Sequence, residues 1–174
     1  IYKRKIGRQR RSLIRARTDF GGKVFRKMQQ GGMLINVPLA PTLIDDILKF
    51  ATTPVVSSHT GVQGTCQNQR NLSDDHIRGI AKTGGVVGVG FWDVAVCDFS
   101  AEAIVKAIKY TADLVGVDHV ALGSDFDGAI EAPFDATGMP LITEERMKQG
   151  FSEQDIRKIM GENTIRVLGQ VLPD

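Results

Sequence analysis

Short apolar runs and amphipathic stretches alternate along this chain about four times. Met33-Leu34-Ile35-Asn36-Val37, Pro54-Val55-Val56-Ser57-Ser58-His59, Val86-Val87-Gly88-Val89-Gly90-Phe91 and His119-Val120-Ala121-Leu122-Gly123 are too short for helices and read as strands. Helical spacing fills the intervals. Asp19 to Gln30 places Val24, Phe25 and Met28 on one face and stops at Gly31-Gly32, and Thr42 to Phe50 gathers Leu43, Ile44, Ile47 and Leu48. Ser73-Asp74-Asp75 caps a helix with Ile77, Ile80 and Ala81 inward, and Ser100 caps a longer one carrying Ile104, Ile108, Ala112 and Val115 up to Gly116. After a loop rich in Pro, Gly and Asp, Ser152 opens a capping box with Asp155. Gly161 then divides that helix from a last one bearing Ile165, Val167, Leu168, Val171 and Leu172.

Such alternation implies parallel strands joined by right-handed helical crossovers, in either an open doubly wound sheet or a section of a (β/α)8 barrel. The Val86–Phe91 run has no polar alternation, as expected of a strand covered on both faces. With 174 residues and 42% hydrophobic content, one core in one domain is the default. A whole barrel needs about 250 residues for its eight units, and this chain supplies about half of them. The expected fold is therefore α/β, half of a barrel with about four parallel strands.

The net charge of +2 is unevenly spread. Residues 1–18 carry Lys3, Arg4, Lys5, Arg8, Arg10, Arg11, Arg15 and Arg17 with no acid, which leaves 14 basic against 20 acidic residues in the remainder. This basic arm lacks the apolar run of a signal peptide and the interleaved aromatics that stack bases. It is expected to be poorly ordered, with residues 19–174 forming the folded unit and nucleic-acid binding the disfavoured alternative. The first residue, Ile1, fits a fragment or a processed product. No apolar stretch approaches the roughly 18 residues of a membrane helix, and the compartment stays open. Cys66 and Cys97 lie far apart without metal-ligand spacing, so neither a disulfide framework nor a cysteine zinc site follows from them.

In parallel α/β folds, functional side chains gather at the carboxyl edge of the sheet. Asn36 to Leu39, Ser58-His59, Phe91-Trp92-Asp93 and Ser124-Asp125 occupy that edge. A neutral imidazole at His59 can ligate a divalent metal, and a carboxylate at Asp125 can ligate one or move a proton. Arg70, in the loop after His59, can hold a substrate carboxylate or polarise a carbonyl. The plain alternative is that His59 bonds a backbone carbonyl and Asp125 caps its loop or the following helix. His76 and His119 read as structural or solvated. Gly85, Gly88 and Gly90 lie inside a strand, where they permit close packing rather than cradle a phosphate.

The stretch Pro54–His59, followed by Cys66, Arg70-Asn71-Leu72-Ser73-Asp74-Asp75 and Gly84–Phe91, resembles the renal or membrane dipeptidases. Gly123-Ser124-Asp125-Phe126-Asp127-Gly128 and Gly161-Glu162-Asn163 with Arg166 are similar to that family's closing motifs. The resemblance runs in order from about Asp19 onward. It implies the C-terminal part of a metal-dependent (β/α)8 barrel with two zinc ions at the strand ends, hydrolysing dipeptides. On this likeness His59 matches a zinc ligand, Arg70 the arginine that contacts substrate, and Asp125 the acid that handles the proton. One departure matters: where relatives carry an Asp-x-Ser-His-like segment, this chain reads Asn36-Val37-Pro38-Leu39, so Leu39 stands at the position of a lost ligand. The remaining first-shell ligands of the family belong to an N-terminal half not represented here. The isolated chain is accordingly expected to bind zinc weakly and to be inactive, with a second copy or a missing N-terminal half completing it. A degenerate relative that keeps the scaffold without chemistry is the alternative.

Overall fold

The computed structural model describes residues 18–37 and 41–173. In chain order the elements are α1 (Asp19–Gln30), β1 (Ile35–Asn36), α2 (Pro41–Phe50), β2 (Val55–Thr60), α3 (Asp74–Lys82), β3 (Val87–Val89), α4 (Asp93–Val96), α5 (Ala101–Val115), β4 (Val120–Leu122), α6 (Met139–Lys148), α7 (Glu153–Arg157) and α8 (Asn163–Val171). Residues 1–17 of the basic arm, and Leu39, lie outside the described residues.

Side-chain oxygens set where several helices begin. Thr18 accepts from the Gly21 N–H, Ser73 from His76, Ser100 from Ala103 and Ser152 from Asp155, each satisfying a donor that a first turn leaves free. At α7 the capping box is complete, with the Asp155 carboxylate accepting from the Ser152 N–H at 3.2 Å. Between α7 and α8, Lys158–Glu162 winds as a wider turn in which Gly161 departs from helical geometry.

All four strands are parallel and lie in the order β1-β2-β3-β4. A doubly wound sheet reverses its strand order at a switch point, whereas a barrel adds each strand beside the last. The unbroken order, with no switch point among these strands, fits a barrel section. The strands are shorter than the apolar runs that encode them. Yet the backbone bonds continue past the strand ends, with Val37 N–H donating to Val56 O, Ser57 to Val86 O, Gly90 to Thr60 O and Gly123 to Val89 O.

Both faces of the sheet are covered, which explains the lack of polar alternation. Ile35, Val55, Val87, Val89 and Val120 share a core with Ile44, Ile47, Ile77, Ile80, Ile104 and Ile108 of the crossover helices. Alternate residues Val56, Val86 and Ala121 pack instead with Leu34, Val167 and Val171, so α8 closes the second face. Polar bonds fix that helix at the amino ends of the strands. Asn163 Nδ2 donates to Val117 O at 2.8 Å and Val120 O at 2.9 Å, and Arg166 donates to Gly84 O at 2.9 Å and Asp118 O at 2.8 Å. Lys158 pairs with Asp118 at 2.7 Å. The carboxyl ends are left as the edge for a site.

Two features depart from the pattern of the sequence. The stretch before Ser152 is not all loop, because α6 forms there with Ile142 and Arg146 buried one turn apart. A charged residue on the inner face hides the amphipathic signal of this helix. Cys66 and Cys97 are joined by a disulfide, their Cα atoms 5.3 Å apart across a separation of 31 residues. Both outer histidines are structural: His119 Nδ1 lies 2.8 Å from Gly85 O, and the buried His76 contacts Asp45 through Nε2 at 3.0 Å.

Candidate functional site

The carboxyl half of β2 is irregular. Ser57 pairs with Val87 while Thr60 pairs with Val89, so three steps on β2 face two on β3 and a bulge falls at Ser58–His59. Asn36, at the end of β1, supports the bulge. Its side-chain carbonyl accepts from the Ser58 N–H at 2.9 Å and its amide donates to Ser58 Oγ at 2.9 Å. Ser58 Oγ in turn lies 2.8 Å from His59 Nδ1, and no hydrogen bond engages Nε2 among the described residues.

The bulge pushes the Ser58 carbonyl across the neighbouring strands, and glycine makes room for it. A Cβ on Gly88 would lie 2.2 Å from Ser58 O, and one on Gly123 would lie 2.3 Å from the same oxygen. The end of β4 is thus brought against the end of β2. Two residues beyond Gly123, Asp125 adopts a left-handed backbone conformation with φ of 60°. Asp tolerates that region better than most residues, and here it opens a turn that closes through Gly128 N–H to Asp125 O at 2.9 Å. Phe126 packs edge-on against Phe91, with ring centroids 5.7 Å apart, and Phe134 does so from another side at 5.9 Å.

His59 is half-buried, and the edge of the nearly buried Trp92 ring approaches it with centroids 6.1 Å apart. Trp92 folds back over Gly90, where a Cβ would sit 2.1 Å from the indole. Arg70 is exposed on the loop after β2, and its guanidinium enters no hydrogen bond or ion pair among the described residues.

The sheet therefore puts His59 and Asp125 at one edge, on the carboxyl ends of β2 and β4, with the loop of Arg70 leaving from the same end of β2. Among the described residues no group of three or more His, Cys, Asp or Glu side chains is placed to hold a metal ion. Zinc takes about three or four protein ligands, so the donors present do not fit a zinc pair. Sequence reasoning marked the strand ends but missed the pairing of Asn36 with Ser58 and the aromatic contact to His59. Adjacent Asn36 and Ser58 are visible only once the register of β1 on β2 is known.

A profile of the membrane dipeptidase family (Peptidase family M19) matches residues 5–172. Dipeptidase ataJ of Aspergillus terreus is 33% identical over 134 residues, covering 72% of this chain and 33% of that protein. Dipeptidase 3 of Rattus norvegicus is 30% identical over 161 residues, covering 88% of this chain and 33% of that protein. An uncharacterized protein in the pqqA 5' region of Klebsiella pneumoniae is 36% identical over 136 residues and is half covered. The chain thus spans a third to a half of the length of these relatives. Among solved structures, the metallo peptidase of Rhodobacter sphaeroides, liganded with a phosphinate mimic of the dipeptide L-Ala-D-Ala, superimposes with a TM-score of 0.81 at 25% identity. The superposition covers 88% of this chain and 47% of that one. Motif order, parallel strand order and these matches agree, and the chain belongs to the membrane dipeptidase family, peptidase family M19.

Proposed function

We propose that this chain contributes the C-terminal half of a metal-dependent dipeptidase barrel, and that it does not hydrolyse dipeptides on its own. In this reading His59 supplies one imidazole to a metal site, and zinc is the metal. Asp125 holds or moves a proton beside it. Arg70 binds the carboxylate of a dipeptide, for which a guanidinium offers two parallel donors. The observation that carries the reading is the placement of His59 and Asp125 on one sheet edge, supported by family membership, while no three-ligand group forms among the described residues.

The test is turnover. The purified 174-residue chain is supplied with zinc and assayed against Gly- and Ala-containing dipeptides, with release of free amino acid as the readout. No turnover above the zinc-only blank is expected. Rates in the ordinary enzyme range, about 1 per second or more, would refute the claim that the chain is incomplete as a catalyst. The absence of a three-ligand group, with Leu39 at the position of a family ligand, also favours a second reading in which the scaffold persists without chemistry. The two separate on whether an added source of the other barrel half restores activity.

A further inference from the structure

The segment between β2 and α3 leaves the sheet and returns to its own start. Leu72 N–H donates to Gly61 O at 3.0 Å, Gln63 N–H donates to Leu72 O at 2.9 Å, and Val62 and Leu72 form a parallel bridge. Ends this close make it an Ω-loop, packed by its own side chains. Arg70 sits on it.

Two asparagines tie the loop to the turn after β3. Asn71 is 4% exposed, and its amide donates to Cys66 O at 2.7 Å and to Ala95 O at 2.9 Å. Asn68 donates to Val94 O at 2.8 Å. Gly61 is fitted to the same partners, since a Cβ there would lie 2.0 Å from Ala95 O and 2.3 Å from Asn71 Oδ1. The Cys66–Cys97 disulfide adds a covalent link to the far end of α4. On its other side the loop rests on α5, where a Cβ on Gly64 would meet the Tyr110 ring at 1.9 Å.

Within this arrangement one oxygen has a particular place. Asn68 Oδ1 accepts from the backbone N–H of Arg70 at 2.9 Å and from that of Asn71 at 3.1 Å. The same side chain thus holds the Arg70 backbone at one end and α4 at the other. We infer that Asn68 is a positioning residue for Arg70: it fixes the point from which the guanidinium reaches, relative to the carboxyl edge of the sheet. An exposed arginine keeps the freedom of its own torsions, so the anchoring of its Cα is what limits where the guanidinium can go. The inference rests on the reading of Arg70 as the carboxylate-binding group.

Backbone hydrogen exchange on the full 174-residue chain tests the positioning directly, because it reads the two N–H groups that Asn68 Oδ1 accepts. Asn68→Ala is expected to speed exchange at Arg70 and Asn71 by about fivefold or more, the loss of a typical hydrogen bond, while amides of β2 and β3 keep their protection. Asn68→Asp retains an acceptor oxygen for both N–H groups but sets an oxygen in place of the amide donor against Val94 O, so it is expected to keep part of the protection that Asn68→Ala loses. Unchanged exchange at Arg70 and Asn71 in Asn68→Ala, with the fold intact, overturns the proposal, and so does equal loss in Asn68→Asp. If Asn68→Ala fails to fold, exchange in Asn68→Asp decides alone. A second arm addresses the reading beneath it: the Arg70 Nε–H resonance is followed while L-Ala-D-Ala is added to the unaltered chain. A saturable shift supports carboxylate binding at Arg70, and its absence overturns that reading without touching the exchange result.

Discussion

Asn36 and Ser58 bond to each other twice, Asn36 accepting from the Ser58 N–H and donating to its hydroxyl, both at 2.9 Å. Through this pair the last residue of β1 supplies the contacts that the bulge in β2 takes away from the sheet. Replacing Asn36 with Ala removes both bonds, and a loss of about 1–2 kcal/mol is expected, a fall in Tm of roughly 2–8 °C. Asn36→Asp keeps the acceptor and should lose about half as much. Thermal unfolding followed by circular dichroism gives the comparison, and an unchanged Tm in Asn36→Ala would remove the support argued for the bulge.

Glycine tolerance separates the site edge from the open face of α8. Gly88→Ala and Gly123→Ala each drive a Cβ to within 2.3 Å of the Ser58 carbonyl, and backbone atoms there have little room to give way. Both should cost more than about 3 kcal/mol and abolish or severely reduce soluble folded protein. Gly169 in α8 meets nothing within 4 Å, so Gly169→Ala should stabilise the chain by about 0.5–1 kcal/mol. Equal behaviour of the three variants would contradict the close approach of β2, β3 and β4.

Arg146 is fully buried on α6. Its Nε donates to Ile142 O of its own helix, and Nη1 has no hydrogen-bond partner among the described residues. Desolvation lowers its pKa from the ordinary arginine range to about 10, so it is still charged at neutral pH. A base whose folded pKa lies below its unfolded value destabilises the fold in full below the folded pKa, and the penalty fades as pH rises above about 10. Arg146→Met should therefore raise Tm at neutral pH by roughly 3–10 °C, for a gain of about 1–3 kcal/mol, and the advantage should shrink above pH 10. A lower Tm for the variant at pH 7 would mean that the arginine's local bonds outweigh its desolvation.

Reduction of the Cys66–Cys97 bond gives a further check. A cross-link spanning 31 residues stabilises by about 3–4 kcal/mol in the chain-entropy account. Cys97→Ser should thus lower Tm by roughly 6–15 °C. Peptide mapping without reductant should recover the two cysteines on one joined peptide, whereas two free thiols in the native chain would exclude the bond.

What the sequence disclosed was local, and what it hid was relational. Ser73, Ser100 and Ser152 announced their helices because a cap is decided within three residues of chain. The strand ends that carry His59 and Asp125 were likewise visible from the apolar runs that precede them. Helix α6 was not, since its buried pair of Ile142 and Arg146 breaks the apolar stripe by which a helix is recognised. The disulfide, the bulge at Ser58 and the asparagine bonds around Arg70 depend on which strand lies beside which and in what register. No short window of residues contains that information.

On the proposed function, the residues of this chain set one half of a metal-dependent edge without completing it. Zinc content, measured by elemental analysis of the 174-residue chain after equilibration with zinc and exhaustive dialysis, tests it most directly. Well below one zinc per chain is expected, because His59 alone among the described histidines stands at the carboxyl edge. Two tightly held zinc ions per chain would contradict it.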